Sequence, residues 1–386
     1  MKNLGIHILR EAKRISKDFT LVLTLLIAPL FYAFFYGSIY INKKEQNVKI
    51  IVVDKDNSEL SRRLTKMFDE SSYVEVIGVS QNFEAAKKAF LAYKVQGIVQ
   101  FSKNFEGDIK RMKGADLQLF LNTSKFLPSN DIKEAISTIV MTASAGVRLE
   151  YYKATMNDED RALVLAQPVL LKDHSIFTSF TNYTDFLLPG LLLLILQQTF
   201  LMGLAESIAR EFEKNTFTEW FSVNKNKILP NIFGKGLFFY VLFLAYALFF
   251  IVVNYAVFGL NFDGDFFSLL LLFVLFFTTL LMFGSFIASF FKKEIFALQF
   301  FAFTTYPFFL MAGFAWPIEA MNPLFKLVSF LIPTTHMLEV YIKIVYNGLG
   351  FMDCLEDMLY LVILIFFYGS LAHFRYAYLL KKGVSH

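Results

Sequence analysis

The sequence predicts a mainly α membrane protein: six transmembrane helices, an extracytoplasmic α/β domain inserted between helices 1 and 2, and short re-entrant helices between helices 5 and 6. Three observations lead there. The 386 residues are 56% hydrophobic and 18% charged, with 48 Phe and 18 Tyr and a mean hydropathy of +0.49, far more apolar matter than one globular core absorbs. Six long stretches carry no Lys, Arg, Asp or Glu at all. Between the first two of them, residues 42–185 instead alternate like a water-solvated α/β fold.

The six stretches are Phe19 to Ile41, Phe186 to Ala205, Gly236 to Phe258, Phe266 to Phe291, Ile295 to Trp316 and Met358 to Phe374. About 20 apolar residues in a helix cover the roughly 30 Å hydrocarbon layer, so each can span it, the last with a little help from its flanks. Pro29, Pro189 and Pro307 lie inside spans one, two and five and are expected to kink them. Residues 1–18 read as a basic amphipathic helix lying along the inner headgroup layer, with Leu4, Ile8, Ala12, Ile15 and Phe19 on one side and Lys13, Arg14 and Lys17 taking much of the rest.

Orientation follows from the cations. Lys2, Arg10, Lys13, Arg14 and Lys17 precede span one; Arg210, Lys214, Lys225, Lys227 and Lys235 join spans two and three; Lys292 and Lys293 follow span four; Arg375, Lys381 and Lys382 close the tail at 375–386. The short alternate connections hold only Lys326 and Lys343. The positive-inside bias therefore puts both termini in the cytosol. Span one is too long for a signal-peptide core and no small-x-small site follows it before Lys43, so it is expected to remain as an anchor.

The inserted region, with 20 of the 37 basic and 19 of the 33 acidic residues, is nearly neutral and large enough to fold alone. Lys49 to Asp54, Tyr73 to Val79, Gly97 to Phe101 and Asp116 to Thr123 read as strands, with helices at Glu59 to Glu70 and Phe83 to Tyr93. A helical segment from about Asn130 to Val164 leads toward span two. Asp54, Asp56 and Asn57 after the first strand are read as turn and cap formers rather than a metal or phosphate loop. His174 has no neighbouring Cys or His with which to share a metal.

Residues 206–235 are too long for a simple reversal and place Ile208, Phe212, Thr216 and Trp220 on one helical stripe beside Arg210, Glu211, Glu213, Lys214 and Glu219. The mixture suits docking onto another protein at the membrane surface, with an interfacial helix touching only lipid as the alternative. Residues 317–357 are apolar but are cut by Pro317, Pro323 and Pro333, so Leu324 to Ile332 and Thr334 to Tyr346 read as short helices dipping into the outer leaflet, the first started by Asn322.

Several functions are disfavoured. Apart from His373 near an end, the spans lack ionisable groups, which argues against proton or sodium coupling. No G-x-x-x-x-G-K-[ST] occurs, so no Walker A loop holds ATP; no nucleophile-base pair or metal-ligand cluster is visible, and the net charge of +4 is too small to advertise a nucleic acid. The lone Cys354 closes no disulfide within the chain. Energy for any work is expected to enter through a partner.

Ile208 to Trp220, IAREFEKNTFTEW, resembles the cytosolic segment of the ABC-2 type permeases of ATP-binding-cassette exporters, in particular those with a large external domain after the first span. Arg210, Glu211, Glu213, Thr216 and Glu219 match, Asn215 stands where Gly is usual, and Gly234-Lys235 fits the start of span three. Ala312 to Thr335 is similar to a second family motif at Gly313, Pro317, Met321, Pro323, Pro333 and Thr335, with Asn322 inserted between Met and Pro. The resemblance implies a permease subunit of an exporter for amphipathic or lipid-like molecules in the bacterial plasma (inner) membrane. It implies a dimer with a second permease, like or unlike, in contact with membrane lipids, and separate ATPase subunits that hold ATP and Mg and press on Arg210, Glu211, Glu213, Thr216, Glu219 and Trp220. Family analogy adds a periplasmic adaptor and outer channel as candidate partners of the external domain. The implied substrate path runs between spans two and five, here carrying Gln197, Gln198, Thr199, Gln299, Thr304 and Thr305, which helix-to-helix hydrogen bonding would explain equally well. A second class stays open: a membrane-anchored receptor or assembly scaffold whose external domain binds a ligand.

Overall fold

The computed structural model describes residues 2–39, 47–92, 94–111, 113–124, 126–156, 158–166, 183–260, 262 and 264–382. The chain divides into two compact units, Asn42–His174 and the remainder, Met1–Ile41 with Ser175–His386.

The smaller unit is built on a four-stranded sheet, β1 (Val48–Asp54), β2 (Val74–Ser80), β3 (Gly97–Phe101) and β4 (Leu117–Leu121), in the order β2-β1-β3-β4. β1 pairs in parallel with β2 and β3, while β4 runs antiparallel to β3. The unbroken apolar run Ile50 to Val53 fits a strand with neighbours on both edges and helices over it. The residues of Asp54, Asp56 and Asn57 behave as turn formers: Asp54 Oδ1 accepts from the Asp56 and Asn57 amides at 3.0 and 2.8 Å, and Asp56 Oδ2 from the Glu106 amide at 3.0 Å. Ser58 and Ser61 close a reciprocal capping box at the start of Glu59–Asp69. The short helix Phe105–Lys110 was not foreseen. The expected helix from Asn130 to Val164 is two, Phe126–Thr155 and Glu159–Ala166, because Asp158 starts afresh by accepting from the Arg161 amide at 3.1 Å. His174 lies outside the described residues.

Numbering the helices in chain order, the larger unit opens with α1 (Lys2–Lys17) and α2 (Phe19–Ile39). In the smaller unit, α3 is Glu59–Asp69, α4 Phe83–Leu91, α5 Phe105–Lys110, α6 Phe126–Thr155 and α7 Glu159–Ala166. The larger unit resumes with α8 (Tyr183–Glu213), α9 (Phe217–Ser222), α10 (Ile228–Phe258), α11 (Phe266–Ala288), α12 (Glu294–Met311), α13 (Pro323–Leu331), α14 (Pro333–Val345) and α15 (Leu355–Lys381). Six of these helices, α2, α8, α10, α11, α12 and α15, are long and apolar enough to cross a membrane. α8 and α11 are the centre of the unit, with 72% and 61% of their apolar windows buried against 22% for α2 and α12. α13 and α14 meet at an 81° bend where Pro333 opens α14.

Pro29 has no N–H to give the Leu25 carbonyl, and α2 widens there into a π turn at Leu23–Ile27. The Tyr246 hydroxyl of α10 supplies the missing donor, lying 3.1 Å from both the Leu25 and the Leu26 oxygens. The helices run on through Pro189 and Pro307.

Candidate functional site

The second long helix does not stop at Ala205. α8 continues to Glu213, because Ser207, Arg210 and Glu211 find polar partners inside the protein and need not leave the helix for water. It ends at Asn215, which takes the left-handed φ of +55°. Asn is the side chain that best replaces Gly in that conformation, which accounts for Asn215 at the family's glycine position. α9 then begins at Phe217. The expected single stripe of Ile208, Phe212, Thr216 and Trp220 is therefore corrected to a helix, a tight turn and a second short helix.

Inside this corner lies a buried ion network. Lys235, on the first turns of α10, places Nζ 2.8 Å from Glu11 Oε1 and 2.7 Å from Glu211 Oε1. Each carboxylate gives its second oxygen to an arginine of α1: Glu211 Oε2 to Arg10 at 3.0 Å, Glu11 Oε2 to Arg14 at 3.0 Å. Ser207 donates to Glu11 at 2.8 Å, Arg14 donates to Ser207 at 2.7 Å, and Thr216 donates to Glu211. Such satisfaction is what makes a charge tolerable where Lys235 and Glu11 are only 2% and 3% exposed at their side chains. Burial alone would push the Glu11 carboxyl up, but Lys235 and Arg14 beside it hold it below the ordinary carboxylate range.

Two further links leave the same helix end. Arg210 reaches Asp18 at 3.4 Å and Glu294 at 3.2 Å, and Glu213 accepts from the Glu294 amide at 2.9 Å. Asp18 is the cap that separates α1 from α2, accepting from the Thr20 and Leu21 amides. Glu294 opens α12. The stretch from Ser207 to Thr216 is thus bonded to the starts of α2, α10 and α12.

The aromatics pack inward. Trp220 is buried with Phe217 and Phe221 against Tyr376 of α15, donates from Nε1 to the Asn231 carbonyl at 3.2 Å, and has Lys235 Nζ 5.0 Å from its ring centre. Trp220 and Glu211 are consequently part of the fold, and Glu213, Lys214, Asn215, Thr218 and Glu219 form the exposed face of the corner. α1 buries His7 and Glu11, which lie outside its expected apolar row, beside Ile15 of that row, whereas Phe19 is 76% exposed. The His7 ring lies on Gly234, where a Cβ would stand 2.5 Å from its Cδ2, and its Nε2 is 3.1 Å from Asn224. Burial, with the charges of Lys235 and Arg10, pushes the His7 imidazole down. Sequence reasoning missed His7, Glu11, Arg10, Arg14 and Ser207 as a site. The signal was present in His7, Glu11 and Ile15 at four-residue spacing.

Of the polar residues on α8 and α12, which pack side by side, Thr199, Thr304 and Thr305 donate back to the Ile195, Phe300 and Phe301 carbonyls of their own helices. Gln197 is buried and accepts from Thr334 of α14; Gln198 is half-buried and Gln299 exposed. Gly313 has φ +84°, Pro317 caps the 3-10 turn Ile318–Ala320, Met321 closes it, Asn322 caps α13 by accepting from the Leu324 amide at 3.1 Å, and Thr335 Oγ1 lies 3.3 Å from Ser329 Oγ. Among the described residues no group of three or more His, Cys, Asp or Glu is placed to hold a metal.

Six spanning-length helices together with a charge-locked corner define a polytopic membrane protein. The family model described as ABC-2 family transporter protein matches residues 19–374, and the chain belongs to that family. It is therefore a multi-pass membrane subunit of an ATP-binding-cassette transporter, the permease rather than the ATPase, and works with an ATPase of that class. No curated protein matches the chain closely enough to count as a relative.

Proposed function

We propose that the chain is the permease of an exporter: two copies, or this chain and a paralogue, pair in the bacterial plasma membrane with both termini cytosolic. ATP hydrolysed on partner subunits moves an amphipathic or lipid-like molecule outward. The observation that carries this reading is the hub at Ser207–Thr216, whose charged bonds reach Asp18, Lys235 and Glu294 at the starts of three spans. A partner that presses on the exposed residues Glu213, Lys214, Thr218 and Glu219 moves those three spans together with α8, since packed, charge-paired elements shift as bodies rather than deform.

Along the proposed path between α8 and α12, Gln198 and Gln299 are the groups available to a passing substrate, because Gln197 is engaged by Thr334 and the threonines by their own helices. The α/β unit is placed outside the membrane in this reading, and α13 with α14 forms the re-entrant pair of the outer leaflet.

The test is co-purification with a co-expressed ATP-binding-cassette ATPase from the chain's genomic neighbourhood. Glu219→Lys, on the exposed face, is expected to abolish recovery of the ATPase while leaving the thermal midpoint of the permease unchanged; undiminished recovery would remove the docking assignment.

A further inference from the structure

The α/β unit contains a cavity of about 640 Å³ on the side of its sheet covered by α3, α5 and α6. Three elements each turn one apolar row into it. Leu60 and Leu64 come from α3 at helical spacing, Leu117 and Leu119 from β4 at the two-residue spacing that puts them on one face. α6 contributes Ile136, Val140, Ala143 and Val147, at alternating steps of four and three. A second, smaller cavity of about 190 Å³, lined also by Arg63 and Glu150, shares Leu60, Leu64, Ala143 and Val147 with the first, so the two adjoin between α3 and α6.

The lining carries charge at its exposed residues: Lys113 and Arg148, with the single carboxylate of Asp116. Among the described residues neither cation is in an ion pair; Arg148 reaches only the Ser144 carbonyl of its own helix, at 3.4 Å. An apolar slot of this volume, within the roughly 300–1,000 Å³ of sites that bury small ligands, with two uncommitted cations among its exposed lining residues, has the complement of a molecule with an apolar tail and a negative head.

We infer that this slot is a binding site for a single-chain anionic amphiphile, its alkyl chain between α3 and α6 and its headgroup on Lys113 and Arg148. Long side chains such as these keep their charge at the rim while their stems cover apolar surface, so they grip a headgroup without closing the slot. The inference concerns binding by this unit and is independent of the export reading, since it needs neither nucleotide nor ATPase.

Two glycines make it testable. A side chain at Gly114, in the cavity wall, and one at Gly78, on β2 away from it, would each meet no atom within 4 Å at Cβ. The full chain is placed in nanodiscs of phosphatidylcholine and photolabelled with a diazirine-bearing dodecanoate, and the labelled peptides are identified by mass spectrometry. Label is expected on α3 and α6, chased by unlabelled dodecanoate about tenfold better than by dodecylamine. Gly114→Trp and the double variant Lys113→Glu/Arg148→Glu are each expected to cut that label about tenfold, while Gly78→Trp and Arg148→Lys retain it. Label on α3 and α6 that survives Gly114→Trp, label confined to the long apolar helices, or equal chase by dodecylamine would overturn the assignment.

Discussion

Lys235 Nζ lies 2.8 Å from Glu11 Oε1 although 224 positions separate the two residues, and the same ammonium holds Glu211 of α8 at 2.7 Å. One cation thus fastens the amino-terminal helix and the end of the second long helix to the third. The three groups are almost inaccessible to water, so their worth depends on the set remaining complete.

Removing the cation should therefore cost more than removing the set. Lys235→Ala leaves Glu11 and Glu211 buried without their shared partner and is expected to destabilise the larger unit by about 3–5 kcal/mol. Lys235→Ala combined with Glu11→Ala is expected to lose less than the sum of the two single changes. Thermal midpoints of the purified variants in detergent measure this; strict additivity would show that the two residues act separately.

The same corner predicts a pH dependence. In the folded chain His7 is held below its ordinary value by burial and by Lys235 and Arg10, so once pH drops under about 6.5 the unfolded chain takes up a proton that the folded chain resists. The contribution of His7 to stability falls with pH through that window and is restored above it. Glu11, also depressed, contributes fully above about pH 4.3 and loses its contribution only at lower pH, as it protonates in the folded state. Between about pH 7 and 5 the imidazole thus lowers stability where Glu11 does not. His7→Asn is expected to flatten the thermal midpoint over that range, and an unchanged slope would assign the effect elsewhere.

Much of this architecture is legible in the sequence because lipid and pleat impose strong periods. The apolar runs and the four strands stand out for that reason, and so do the proline-cut segments that became α13 and α14. What stayed hidden is where charges point. Lys235 reads as one more cation beside the membrane and Glu11 as one residue of a solvated face, since a side chain's value in the pattern is the same whether water or a distant carboxylate neutralises it. The end of α8 was hidden for a related reason: Glu206 to Glu211 looks like a departure from the membrane, but internal partners let the helix continue until Asn215 turns it.

The junction of Tyr246 with Pro29 predicts a coupled pair. Tyr246→Phe strips the donor from the Leu25 and Leu26 carbonyls and should cost about 1–3 kcal/mol, the penalty for a buried acceptor left unpaired. In a Pro29→Ala background the backbone can supply its own N–H, and the same change should cost less. Equal losses in both backgrounds, read from thermal midpoints, would mean that the hydroxyl does not serve the proline gap.

A comparable dependence links Thr334 and Gln197. Thr334→Val removes the hydroxyl donor of a buried amide oxygen, and a loss of about 1–3 kcal/mol in stability is expected, with Thr334→Ser restoring most of it. If serine fails as valine does, the methyl packing and not the hydrogen bond is what the site requires.

The most direct test is transport per ATP hydrolysed in inverted vesicles containing the permease, its ATPase and a fluorescent amphiphile. Lys235→Met, assayed well below its lowered thermal midpoint so that the fold persists, should leave the exposed Glu213–Glu219 face able to hold the ATPase and ATP hydrolysis intact, yet abolish transport, because the corner no longer drags α1 and α10 with it. Transport per ATP equal to that of the unaltered chain would contradict the Lys235 clamp as the link between the two.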